Sequence, residues 1–149
     1  MYREATLADC DQIYDLVCEL EGTALPRERF FAIFQKHLLD KCRRCLVWEE
    51  NRSVAGVMTL RFEDQLHHKE PVAEIMEFVL APAFRDRGIG AKLFVYACEL
   101  AKDFGCGQLE LSSGNARTKA HRFYLRQGMD LSHVKFTMSL ADGLEPKKE

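Results

Sequence analysis

The chain has 149 residues, 47% of them hydrophobic, with a formal net charge of −2 and a pI near 6.2. That length and apolar content suit one domain with a single core, and so balanced a charge excludes nucleic acid or an anionic membrane as the main partner. The N-terminal MYREATLADC lacks an apolar stretch behind a basic start, and no window holds the roughly 18 apolar residues that would span a bilayer, so a soluble, cytoplasmic protein is expected.

In chain order, Thr6 with Asp9 three residues on reads as a capping box, and Cys10, Ile13, Val17 and Leu20 recur at helical spacing up to Gly22. This predicts a helix over 7–21. A second helix over 27–39 follows from the apolar face of Phe30, Phe31, Phe34 and Leu38. RCLVWEE and SVAGVMTLRF, separated by NRS, read as a β-hairpin with a short polar turn. After the polar EDQLHHKEP, VAEIMEFVLA reads as a long strand that stops at Pro82.

Ile89, Leu93, Tyr96, Ala97, Leu100, Ala101 and Phe104 give the strongest helical period in the chain, ended by Gly105. QLELSS reads as a strand, Asn115 to Gln127 as a helix closed by Gly128, and 134–140 as a last strand before a frayed tail at about 143–149. The order is β-αα-β-β-β-α-β-α-β, an α/β (α+β) domain over 1–149.

Six cysteines without an export signal are read as reduced thiols. Cys42 and Cys45 form a lone CxxC running into a strand, where residues three apart face opposite ways, so the pair is read as structural.

The stretch RDRGIGAKLF lies where the long strand passes into the strongest helix. Unpaired amides at a helix N-terminus suit a phosphate. A phosphate-binding GxxxxGK[ST] loop would need glycine at 85, and a dinucleotide fingerprint would need it at 93, where Leu93 stands; neither fits. Arg85-x-x-Gly88-x-Gly90 does match the Q/R-x-x-G-x-G/A signature of the GCN5-related N-acetyltransferases (GNAT), and the element order over about 140 residues resembles that family. Within it, CEL, LHH, AEIMEFV and AHRFYLRQG…SHVKFT are similar to the aminoalkylphosphonate N-acetyltransferases.

The resemblance implies the GNAT fold, a single mixed twisted sheet flanked by helices, and acetyl transfer from acetyl-CoA to an amine. It implies that the amides of Arg85, Asp86, Arg87, Gly88, Ile89, Gly90 and Ala91 hold the pyrophosphate, and that the main chain of Phe78, Val79 and Leu80 pairs with pantetheine like an added strand. A plain turn and a buried strand are the alternatives. By the same resemblance Tyr124 matches the tyrosine that faces the thioester sulfur and is the candidate general acid, with an ordinary half-buried aromatic as the alternative; Asn115 either caps the last helix or touches pantetheine. Glu74 and Glu77 are candidate bases, and a strand bulge would decide which enters the site; solvated edge carboxylates are the alternative.

His67 and His68, near Glu70, are candidates for binding an acidic acceptor or a divalent metal, or form a plain polar loop. Arg27, Arg29 and Arg61 are the arginines considered for a phosphonate. The expected form is a homodimer acting on a small-molecule amine. An aminoalkylphosphonate leads as acceptor; an aminoglycoside, a polyamine or a protein amino group, or an acetyl-CoA-binding module without turnover, are the alternatives.

Overall fold

A computed structural model of the chain describes residues 1–141. The predicted tail at 143–149 lies outside the described residues. The chain divides into two compact units, Met1–Ser112 and the part from Ser113 onward.

The first unit is built on one five-stranded sheet in the order β1-β2-β3-β4-β5, with β1 at Tyr2–Glu4, β2 at Arg43–Glu50, β3 at Ser53–Glu63, β4 at Val72–Leu80 and β5 at Gln108–Leu111. The pairings are antiparallel up to β4, and β5 joins β4 in parallel. A parallel neighbour needs a crossover, and helix α3, Ile89–Phe104, supplies it.

The predicted first helix divides into a 3-10 turn at Leu7–Asp9 and helix α1 at Cys10–Glu21. The capping box forms: the Thr6 amide donates to Asp9 Oδ2 at 2.7 Å. Asp9 is buried, and Arg3 donates to both of its oxygens at 2.8 and 2.9 Å, so the cap also ties β1 to the helix. That guanidinium, more than the Thr6 amide, holds the Asp9 carboxyl below the usual carboxylate range against the opposing effect of burial. Gly22, at φ 71°, ends α1 in the left-handed conformation that glycine adopts without penalty.

Helix α2, Arg27–Leu39, matches its predicted span. Ile13, Leu16 and Val17 of α1 and Phe34 of α2 pack on Val47, Val57 and Val79 from one face of the sheet. On the other face Phe62 stacks on Phe104 of α3 at 4.4 Å, and Leu46, Met58, Leu60 and Leu93 are buried. Each such side chain contributes roughly 1.5–3 kcal/mol by leaving water. The middle strands are thus packed on both faces, and register sets which polar side chains of β2, β3 and β4 share a face.

The second unit contains helix α4, Thr118–Arg126. It starts later than predicted, because residues 114–117 close as a turn on the Gly114 carbonyl, which accepts from the Arg117 amide at 3.0 Å. The predicted strand at 134–140 is absent: residues 131–140 form no strand, and Val134, Phe136, Met138 and Leu140 are exposed. Period-two alternation marks a face, but a strand exists only beside a hydrogen-bonded neighbour, and the sheet ends at β5.

Candidate active site

The predicted bulge is present in β4. Thr59 pairs with Glu77 and Leu60 with Ile75, leaving Met76 as the extra residue. In a regular strand Glu74 and Glu77 would face opposite ways. The inserted residue reverses that, and both carboxylates share the face of their partners Arg61 and Thr59.

Their bonds differ. Arg61 Nη2 donates to Glu74 Oε2 at 2.6 Å, so this carboxylate belongs to an ion pair. Glu77 instead meets a hydroxyl, which donates from Thr59 Oγ1 to Glu77 Oε2 at 2.5 Å and accepts from the Glu77 amide at 3.0 Å. Thr59 thereby clamps the backbone and side chain of Glu77 at the bulge. Sequence reasoning missed Thr59; a lone hydroxyl in the apolar run VAGVMTLRF was the available signal, and only the register gives it a partner.

Beyond the bulge, β5 runs beside β4 only from Val72 to Ile75. From Met76 to Leu80, β4 continues without β5 alongside and leads through a 3-10 turn at Pro82–Phe84 to the glycines. Asp86 and Gly88 both take positive φ, 58° and 77°. A Cβ at Gly88 would meet nothing within 4 Å, so glycine is favoured there by φ and not by crowding, and it leaves open space over the first turn of α3. The first amides of a helix have no intrahelical acceptor, and here they follow that open turn. Gly90 is buried within the helix.

The turn's arginines are engaged elsewhere. Arg85 donates to the Leu80 carbonyl at 3.0 Å and to Glu19 of α1 at 2.9 Å. Arg87 pairs with Glu50 at 3.2 Å and lies over the Phe84 ring. Exposed pairs of this kind contribute at most about 1 kcal/mol each. Their effect is to pin the turn to α1 and to the β2–β3 hairpin.

In the second unit, Tyr124 packs edge-on against Phe123, with ring centroids 5.4 Å apart. Burial pushes its phenol above the ordinary tyrosine range, with Arg117 opposing in part. Asn115 does not cap α4: it is exposed in the preceding turn, and Arg117 holds the N-cap position.

His67 and His68 lie in the β3–β4 loop with ring centroids 4.4 Å apart. Glu70 is turned toward Gly107, where an added Cβ would stand 2.9 Å from Glu70 Oε2. Among the described residues no group of three His, Cys, Asp or Glu side chains is placed to hold a metal ion. Two imidazoles fall short of the usual three or four protein ligands, so the residues present do not fit the predicted metal site.

Arg27 lies over the Tyr14 ring and pairs with Asp11. Arg61 serves Glu74, and Arg29 is exposed on α2. Cys42 is exposed ahead of β2, while burial pushes the Cys45 thiol up to about 12, the reverse of an activated sulfur.

Residues 10–129 match the Acetyltransferase (GNAT) family. The chain is 38% identical over 138 residues to the aminoalkylphosphonate N-acetyltransferase of Salmonella typhimurium, covering 93% of this chain and 90% of that one. Among solved structures, a transcriptional regulator from Bacillus halodurans superposes with a TM-score of 0.87 at 25% identity over 94% of this chain and 99% of its own. An aminoglycoside N-acetyltransferase, AAC(6')-Iy, in complex with CoA superposes with a TM-score of 0.84 at 15% identity, covering 95% of both chains, which speaks to the fold alone. No described helix is long and apolar enough to cross a membrane.

Proposed function

The chain belongs to the Acetyltransferase (GNAT) family and is an acyltransferase; on that premise we propose that residues 1–149 act as one acetyl-CoA-dependent N-acetyltransferase domain for a small primary amine, with an aminoalkylphosphonate as the leading acceptor. The observation that carries this reading is the course of β4. It bears Glu77 at a bulge, extends beyond β5, and ends at a turn of left-handed residues over a helix N-terminus. The acceptor is suggested by the 38% identical relative named for it.

Acetyl-CoA supplies the activated thioester. The amides of residues 85–91 bind its pyrophosphate, and the main chain of Phe78, Val79 and Leu80 aligns the pantetheine arm. Glu77, held by Thr59, takes the proton that the amine loses as its nitrogen bonds to the carbonyl carbon. The carbon–sulfur bond breaks, and the Tyr124 phenol gives a proton to the departing thiolate. Burial favours the protonated phenol and so supports that role. Glu74, already paired with Arg61, shapes the charge of the site without taking the proton. Asn115 remains a candidate contact for pantetheine.

His67 and His68 are assigned to the acceptor side, because their loop joins the ends of β3 and β4 that carry Arg61 and Glu74. The working form is a cytoplasmic homodimer, which sedimentation would check. The deciding experiment is an acceptor screen with acetyl-CoA and a free-thiol readout. Turnover of short aminoalkylphosphonates above neutral amines, aminoglycosides and polyamines is expected; preference for a polycation would replace the acceptor assignment.

A further inference from the structure

The face of the sheet that carries Glu77 has an uneven charge pattern. Across β2, β3 and β4 one row reads Arg43, Arg61, Glu74, and the next reads Cys45, Thr59, Glu77. Arg43 and Arg61 are direct cross-strand partners, an arrangement in which like charges destabilise a sheet. Glu74 at 2.6 Å and Glu63 at 3.7 Å neutralise Arg61. Arg43 is half-buried, and among the described residues no carboxylate forms an ion pair with it.

His37 adjoins Arg43. The Asp40 amide donates to the His37 carbonyl at 3.2 Å, and the Arg43 amide donates to the Asp40 carbonyl at 3.1 Å, so the end of α2 is folded onto the start of β2. Burial first, and then the Arg43 charge, push the His37 imidazole below its ordinary range; Lys36 acts the same way, while Glu77 and Asp40 oppose it. His37 therefore senses both Arg43 and Glu77.

We propose that Arg43, flanked by His37, is the subsite for the anionic end of the acceptor, while Glu77 on the far side of β3 receives its amine. The inference rests on the acetyltransferase reading above and adds the recognition chemistry. Two strand spacings, about 10 Å, separate the backbones of β2 and β4. Arg43 and Glu77 also stand one row apart on that face, roughly another 7 Å along the strands, and their long side chains have the length to meet an ammonium and an acid group joined by a short carbon chain. The uncompensated guanidinium beside a neutral imidazole favours a dianion, since a second negative charge can also draw a proton onto His37. The acceptor class is thus a short ω-amino acid with a doubly charged head, phosphonate before carboxylate.

The test compares 2-aminoethylphosphonate with propylamine, which has a similar span and no acid. In Arg43→Gln the ratio of kcat/KM for the phosphonate over propylamine is expected to fall about ten- to a hundredfold, the range for losing a charge-assisted hydrogen bond, and Arg43→Lys should restore part of it. An equal loss with both amines, or an unchanged ratio, overturns the proposal, because a purely structural role of Arg43 cannot discriminate between them. Separately, methylphosphonate titrated into the wild-type protein should raise the pH at which the His37 ring signals titrate, and should not do so in Arg43→Gln. If that shift occurs but no anionic amine is acetylated, the subsite stands and the acceptor assignment fails. If methylphosphonate leaves His37 unmoved, the subsite fails whatever the acceptor screen returns.

Discussion

In the proposed binding of acetyl-CoA at the Arg85–Ala91 turn the groups used belong to the backbone, whereas in the proposed acceptor site on the face shared by β2, β3 and β4 they are side chains. The turn consists of two positive-φ residues before a helix N-terminus, and its arginines brace it against Glu19 and Glu50. On the sheet, Glu77 depends on a register shift and on the Thr59 hydroxyl, and its neighbour Glu74 is withdrawn by Arg61. A backbone site tolerates almost any side chain that preserves its dihedrals. A side-chain site built on a bulge is sensitive to single atoms.

The sharpest separation of the two carboxylates should come from Glu77→Gln, which keeps the shape and removes the proposed base. Its kcat/KM is expected to fall by about 10²–10⁴-fold, with Glu74→Gln costing at least tenfold less in steady-state assays of the free thiol. Equal losses would mean that the differing partners, Thr59 for Glu77 and Arg61 for Glu74, do not assign the roles. For Tyr124→Phe we expect kcat lower by about 10²-fold with KM for acetyl-CoA little changed. Because burial raises the phenol, the proposed donor stays protonated through neutral pH, and activity dependent on it should be lost only as pH rises above the ordinary phenol range near 10. A pH profile whose alkaline limb lies well below that range would assign the donor elsewhere.

Gly88→Val tests the backbone half. An L residue held at φ 77° costs roughly 1–2 kcal/mol, and the branched side chain would enter the open space above the α3 amides. Calorimetry should show acetyl-CoA affinity reduced about tenfold or more with the sheet intact, and unchanged affinity in the folded variant would remove the turn from the binding site. Thr59→Val leaves the strand its β-branched residue and deletes the clamp. A loss of about 1.5–3 kcal/mol, the contribution of a hydrogen bond to a charged group, should be read in kcat for the acceptor reaction and not in acetyl-CoA binding. The smallest effect is expected from His67→Ala with His68→Ala: a rise in acceptor KM of about threefold or less, near the scale of one weak polar contact, and no response to a chelator. Loss of activity on chelation would contradict the two-ligand geometry.

Much of this protein was legible in its letters because the relevant physics is local. Thr6 and Asp9, the Ile89–Phe104 period, and the glycines at 22, 88 and 105 act within a few residues of themselves, through hydrogen bonds and dihedral preferences that do not depend on distant chain. The resemblance in Arg85-x-x-Gly88-x-Gly90 is of the same local kind. Residues 134–140 show the limit: their alternation resembles a strand, yet strand formation is a property of two segments, and one sequence window contains only one of them. For the same reason the tertiary structure alone decided that Met76 is the extra residue in β4, that Glu74 and Glu77 share a face, that Thr59 meets one and Arg61 the other, and that Arg43 is left without a carboxylate among the described residues. Those facts are set by register between strands, where a shift of one residue exchanges the two faces, and no periodicity within β4 could have supplied them.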